Sequence, residues 1–481
     1  MNKRIVFYTV GRILQCEGIL MLLPTAVSII YGEKEWIWLF LSALLAFLAG
    51  SLPRFVFKKC NRTVFAREGF AIVALSWVLM SAIGALPFYL SGELPDYISA
   101  FFETVSGFTT TGASVIPDVE ALSHGNLFWR SFTHWVGGMG ILVFIMAVFP
   151  SESGRDIHIM RAEVPGPISG KIVPRIRNTA KLLYVIYLVL TVAEVLFLLC
   201  GEMDLYESLI YSFGTAGTGG FGIKSASVGC YSTYSQWVIT IFMLIFAANF
   251  NIYYFVLIGR VKSAFKSGEL WCYLAIVGVS ITAITVNVFS LYSSLSDAIR
   301  HSSFQVASII STAGFSTVDF NQWPELSKIL LVVLMFIGGC AGSTAGGLKV
   351  SRIILMFKTV KRDLRRLVHP RSVNTVRFEG KTVDSETLNG VGGYIIVYMI
   401  IFFVVLLLLS FSGLDFLTNF TATAACFNNV GPGFGAVGPL SNFSCYSGVY
   451  QIILSFAMLL GRLEIFPILL AFAPSTWRKN K

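Results

Sequence analysis

Four short segments of the chain set a small or polar residue two positions ahead of a glycine. They are Thr110, Thr111, Gly112; Thr218, Gly219, Gly220; Thr312, Ala313, Gly314; and Asn429, Val430, Gly431. None places a nucleophile beside a base. The useful chemistry lies in the backbone, because glycine admits dihedrals that turn carbonyl oxygens to one side while small neighbours leave room beside them. A ring of such carbonyls can replace the hydration shell of a cation. A single copy would suit close helix packing equally well. Four copies argue for a built feature, since an aspartate precedes each glycine by sixteen or seventeen residues, at Asp96, Asp204, Asp297 and Asp415.

That interval fits a short helix plus a loop, and aspartate is favoured at helix N-termini, where it accepts free backbone N–H groups. Each unit therefore reads as spanning helix, short capped helix, polar loop, spanning helix. A short helix such as Tyr97 to Phe108 cannot cross a bilayer, and such a re-entrant segment is tolerated only where protein buries it or water lines it. The C-terminal ends of the short helices would turn their partial negative charge toward a shared cavity. Composition agrees: 55% of the 481 residues are hydrophobic and 13% charged. Windows such as Ile72 to Leu90, Leu182 to Leu199 and Val391 to Leu409 are long enough to span.

The expected fold is an all-α membrane protein with four pseudo-repeated helix–pore-loop–helix units around one central pore, plus two extra N-terminal transmembrane helices. The boundaries read as 1–67 for the extension, then 68–150, 178–260, 268–358 with a broken inner helix, and 390–472. The first apolar run follows Met-Asn-Lys-Arg as in a signal peptide. It is long, contains Arg12 and Glu17 and lacks an Ala-x-Ala site, so it reads as a retained helix.

A net charge of +10 raises the question of nucleic acid. With both termini in the cytoplasm, most Lys and Arg fall on the inner face. Among them are Arg54, Lys58, Lys59, Arg62 and Arg67, the loop from Arg155 to Lys181, and the run from Lys349 to Lys381. This is the positive-inside bias of a membrane protein, and it implies no nucleic-acid partner. The outer face carries Glu93, Asp118, Glu120, Glu202 and Asp319, which would concentrate cations. Eight cysteines without a CxxC pair and five scattered histidines indicate neither a metal centre nor a disulfide framework. Cys230 and Cys445 share the outer face.

Within the third unit Gly338, Gly339, Gly342, Ser343, Thr344, Ala345, Gly346 and Gly347 interrupt a long apolar segment at mid-membrane. Two half-helices and a loop should result, and freed backbone there must face protein or the watery cavity below the filter. Arg462 lies in the last spanning segment, where an ionisable residue is a functional candidate. Glu464, two residues on, cannot face it on a helix. The stretch containing Gly217, Gly219 and Gly222 matches GxGxxG, but an apolar helix precedes it where a dinucleotide site needs a strand. Gly342 to Lys349 fails as a phosphate loop because Leu348 separates glycine from lysine.

At these residues the chain resembles the Trk/Ktr/HKT superfamily of cation transporters, most closely its TrkH/TrkG branch of bacterial potassium-uptake subunits. The likeness covers the four loops, Phe336 to Val350, Leu460 to Phe472 and the two N-terminal helices, roughly Ile5 to Tyr31 and Trp36 to Phe57. It implies potassium as substrate at the four loops, an intramembrane gate at the glycine break with Arg462, and no cofactor in the chain. It further implies a homodimer in the bacterial cytoplasmic (inner) membrane and a TrkA-type cytoplasmic nucleotide-binding ring. Lys349, Arg352, Lys361, Arg362, Arg365 and Arg366 would be either a solvated inner face or the dock for that ring. The second loop is richer in glycine than the others, which leaves its carbonyl geometry open. A sodium-conducting or sodium/proton-coupled relative is the alternative. A membrane enzyme fits less well, since no nucleophile–base pair recurs in the apolar segments.

Overall fold

The computed structural model describes residues 1–57, 65–140, 176–371 and 374–477. Lys58, Lys59, Cys60 and Arg62, the end of the expected first unit at 141–150, and the basic loop from Arg155 through residue 175 lie outside the described residues.

The N-terminal extension is three helices, α1 (Lys3–Leu20), α2 (Leu22–Ile30) and α3 (Trp36–Val56). The first expected span is thus divided at Met21, because Pro24 has no N–H for the Leu20 carbonyl and its ring crowds that oxygen. Close approach of Gly11 to Gly50 and of Gly18 to Ala43 lets α1 and α3 cross backbone to backbone. Glu33, after α2, accepts the N–H groups of His124 and Gly125 at 2.6 and 3.1 Å. Those donors open the inner helix of the first unit, so a carboxylate at a helix N-terminus ties the extension to the pore.

Each unit then runs outer helix, pore helix, loop, inner helix. The first has α4 (Ala66–Gly84) with a short continuation α5 (Leu86–Leu90), pore helix α6 (Tyr97–Phe108) and inner helix α7 (His124–Gly138). The second has α8 (Ile176–Leu199), α9 (Leu205–Gly217), and an inner pair, α10 (Thr233–Phe246) and α11 (Phe250–Leu257). The third has α12 (Gly268–Val288), α13 (Leu295–Ile310), α14 (Glu325–Ile337) and, after a loop, α15 (Val350–Val368). The fourth has α16 (Ser385–Leu409), α17 (Phe416–Phe427), α18 (Gly448–Arg462) and α19 (Phe466–Phe472). Among the described residues six helices are long and apolar enough to cross a membrane, or eight if each bent pair counts as one span.

Two features differ from expectation. The break is not confined to the third inner helix: α10 and α11 bend by 91°, and α18 and α19 by 119°. In the second unit Asn249 starts the new helix by accepting the Asn251 N–H at 2.9 Å. In the fourth, Glu464 and Ile465 both have positive φ, and Pro467 opens α19. The aspartate rule also fails once. Asp96, Asp204 and Asp415 cap their pore helices through the N–H groups of Ser99, Glu207 and Thr418. In the third unit the helix starts earlier and Ser294 is the cap. Asp297 lies inside the first turn, accepting the Ser294 hydroxyl at 2.7 Å and pairing with Arg300 at 2.9 Å.

One small exception interrupts the helical order. Strands β1 (Arg377–Phe378) and β2 (Lys381–Thr382) form a hairpin whose turn, Glu379 and Gly380, has positive φ at both positions, as a two-residue turn favours. Its Phe378 packs with Leu355 of α15 and with Leu388 and Val391 of α16.

Candidate filter and gate

The four pore helices end alike. In each, the residue two before the glycine is left-handed: Thr110, Thr218, Thr312 and Asn429 have φ of 55°, 58°, 60° and 56°. The N–H that follows reaches back five residues, from Thr111 to Ser106, Gly219 to Gly214, Ala313 to Ser308 and Val430 to Ala425, at 2.8–2.9 Å. This is a helix-ending Schellman bond pattern, for which glycine or asparagine is the usual left-handed residue. Threonine is β-branched and rarely accepts that region. Holding it there costs about 1–3 kcal/mol per residue, and such strain concentrates at functional sites.

The loops close on one another. A Cβ on Gly112 would collide with the Gly219 carbonyl oxygen, one on Gly220 with that of Ala313, and one on Gly314 with that of Val430. On Gly431 it would lie 2.7 Å from the Thr111 carbonyl oxygen, so the fourth loop returns to the first. Those same four glycines line a single vestibule of about 130 Å³. Side chains reinforce the seam: Asn429 Nδ2 donates to Thr111 Oγ1 at 2.9 Å and to the Met458 carbonyl at 2.9 Å.

The glycine-rich second loop keeps the shared dihedrals, and its extra glycine has a local cause. The His134 ring occupies the space where a Gly219 Cβ would stand. His134 Nδ1 lies 2.7 Å from the Gly107 carbonyl and its ring packs on Phe221. Behind the first loop, Glu103 accepts the Ser114 hydroxyl and the Val115 N–H at 3.0 and 2.9 Å. Arg130 pairs with Glu103 at 2.6 Å and donates to the Gly222 carbonyl at 3.2 Å, joining the first loop to the second.

Between α14 and α15 the chain doubles back so far that Gly338 and Gly347 nearly touch. The loop is bonded to the residues that end the third and fourth pore helices. Gly346 N–H donates to Thr312 Oγ1 at 2.7 Å, and Gly347 N–H to the Asn428 carbonyl at 3.1 Å. It is also bonded to the broken second inner helix. Cys340 N–H reaches the Ala247 carbonyl at 2.9 Å, and the Gly342 carbonyl takes the Phe250 N–H at 3.1 Å. Within the loop Ser343 donates to the Cys340 carbonyl at 2.7 Å and Gly339 packs on Ala345. Arg462 spans it, donating to the Thr344 carbonyl at 2.8 Å and to the Gly137 and Gly138 carbonyls at 2.6 Å each. Lys349 Nζ donates to the Ala345 carbonyl, while Glu464 pairs with Arg352, whose guanidinium lies over Tyr394.

Residues 39–479 match the family model described as TrkH, cation transport protein. The chain belongs to the TrkH cation transport family. It is 37% identical to the Trk system potassium uptake protein TrkH of Escherichia coli (strain K12), with all of both chains covered. To the Trk system potassium uptake protein TrkG of the same strain it is 34% identical, with 99% of each covered. It is also similar to a solved structure, that of the potassium transporter TrkH from Vibrio parahaemolyticus. The TM-score is 0.89 at 34% identity, over 99% of this chain and 100% of that one.

The outer acids of this TrkH-family site are held in local hydrogen bonds: Asp118 and Asp319 cap short turns, Glu93 accepts from Ser123 and Asn126, Glu120 from Ser225, and Glu202 from Ser232. The charged side chains on the vestibule wall are Arg130 and Lys224. Sequence reasoning missed Glu103, Arg130 and His134. The only hint was three ionisable groups within apolar segments, the same signal that drew attention to Arg462. Cys230 and Cys445 are free thiols.

Proposed function

We propose that this chain takes up potassium through the ring of loop carbonyls, with residues 338–349 as its gate. The observation that carries the reading is the closed cycle of contacts from Gly112 to Gly219, Gly220 to Ala313, Gly314 to Val430 and Gly431 to Thr111. Carbonyls of Thr111, Gly219, Ala313 and Val430, one per loop, stand in for water around the ion. The left-handed residue ahead of each turns the chain so that those oxygens face inward. Four pore-helix C-termini add partial negative charge where a desolvated cation needs it. Thr110, Thr218, Thr312 and Asn429 form the layer below.

Under the filter the gate loop fills the cavity, held by Arg462 through the loop's own Thr344 carbonyl and two carbonyls on α7. Opening means breaking those bonds and those to Thr312 and Asn428. The units 68–150, 178–260, 268–358 and 390–472 supply one quarter each of the pore, and 1–67 braces the first. The chain works as a homodimer in the bacterial inner membrane with both termini cytoplasmic. There α15, with Lys361, Arg362, Arg365 and Arg366, offers a dock to a TrkA-type nucleotide-binding ring. The names of the relatives support potassium as the ion, and the basic residues support the orientation.

Reconstitution in vesicles under an imposed potassium or sodium gradient tests this directly. Potassium flux should follow its own gradient and exceed sodium flux. Sodium flux equal to or greater than potassium flux would replace this reading with the sodium-conducting one.

A further inference from the structure

A buried carboxylate of the third outer helix grips the gate loop. Glu269, in the first turn of α12, is 3% exposed and accepts the Ala341 N–H at 2.8 Å and the Asn249 side-chain amide at 3.3 Å. Its own backbone N–H donates to Glu379 Oε1 at 3.2 Å, and the same oxygen takes the Ser267 hydroxyl at 3.1 Å. Glu379 is exposed at the tip of the β hairpin. The hairpin is fastened in turn to the helix that leaves the gate: Lys358 Nζ of α15 donates to the Arg377 carbonyl at 2.8 Å, and Phe378 and Val383 pack with Leu355.

These contacts make one continuous chain: hairpin tip, first turn of α12, Glu269, Ala341, gate loop. A carboxylate is favoured at free N–H groups of a helix N-terminus, and hydrogen bonds to charged acceptors are the stronger kind. Moving the hairpin away from α12 removes Glu379 from that terminus and frees the turn that aims Glu269. The Ala341 N–H of the loop then loses its side-chain acceptor on the side of α12.

We infer that Glu269 is a positioning residue that holds the gate loop closed, and that the surface hairpin sets it through Glu379. The inference rests on reading residues 338–349 as the gate.

Two readouts on full-length protein in vesicles separate the inference from the reading beneath it. One is potassium flux, and the other is the rate at which a water-soluble maleimide modifies Cys340, read by peptide mass spectrometry. Cys340 is fully buried beside Ala341, so its modification reports release of the loop whether or not the loop gates. Glu269→Ala should raise both rates by about tenfold, the loss of a charge-assisted bond. Glu379→Ala should raise both by a smaller factor, and the double variant should match Glu269→Ala alone. Glu269→Gln keeps one acceptor oxygen for Ala341 but loses the charge and turns an NH2 toward the Asn249 amide, so it should fall between Glu269→Ala and the parent, and the potassium-to-sodium ratio should be unchanged throughout. Glu379→Ala lies at an exposed turn and carries the test if Glu269→Ala folds poorly. Parental rates in Glu379→Ala, or independent effects of the two substitutions, would overturn the inference. Faster labelling without faster flux would keep the latch and remove the gate reading.

Discussion

Gly219 and His134 show how one missing Cβ holds a quarter of the ring. The imidazole fills the space a side chain would need, so Gly219→Ala must push either the ring or the loop. Overpacking of this kind costs about 1–3 kcal/mol. Thermal unfolding of the detergent-solubilised protein should show a lower midpoint for Gly219→Ala. On a His134→Ala background the same change should add little, because contacting residues are not additive. Equal losses in both backgrounds would mean that the ring is not what Gly219 avoids. The four pivotal glycines were legible in the sequence because the repeat exposes them. His134 was not, since it comes from the inner helix of the preceding unit and nothing local pairs it with Gly219. The left-handed threonines were equally hidden, because propensity argues against a β-branched residue there and only the surrounding bonds hold it.

At the scale of elements, the proposed gate loop meets the residues just past the third pore helix through a hydrogen bond from Gly346 N–H to Thr312 Oγ1. Thr312→Val keeps the shape and removes the acceptor. Potassium flux should rise by a few-fold, as loss of a bond worth about 1 kcal/mol implies. Deleting Gly342 to Ala345 should do more. A closed state favoured by ~2 kcal/mol leaves only a few per cent of pores open, so its loss raises flux more than tenfold while the filter keeps its preference. A folded deletion variant no faster than the parent would make the loop a packing element. The break in the third inner helix was legible from its glycines. Those at Ala247–Asn249 and Glu464–Ile465 were missed: a single asparagine cap gives no compositional signal, and in the fourth unit Pro467 was the one sequence cue to the break. Asp297 misled for a related reason: its type and rough position matched the other caps, but Ser294 lay three residues closer to the helix start.

For the whole molecule, fold class followed from repetition and apolar spacing, whereas the seating of the extension on the first unit depends on pairs such as Glu33 with His124, distant in sequence. Orientation is a property of the entire charge distribution. A cysteine placed near Arg371 should react with a membrane-impermeant thiol reagent only from the cytoplasmic side, and reaction from outside would invert the topology. The central claim is that four unequal loops form one potassium filter. Its most direct measurement is the potassium-to-sodium permeability ratio of Gly112→Ser, Gly220→Ser, Gly314→Ser and Gly431→Ser, each in otherwise intact protein in vesicles. Every one of the four should lower the ratio, because each added side chain meets the carbonyl of the next loop. Ratios unchanged from the parent in folded, conducting variants would contradict the claim.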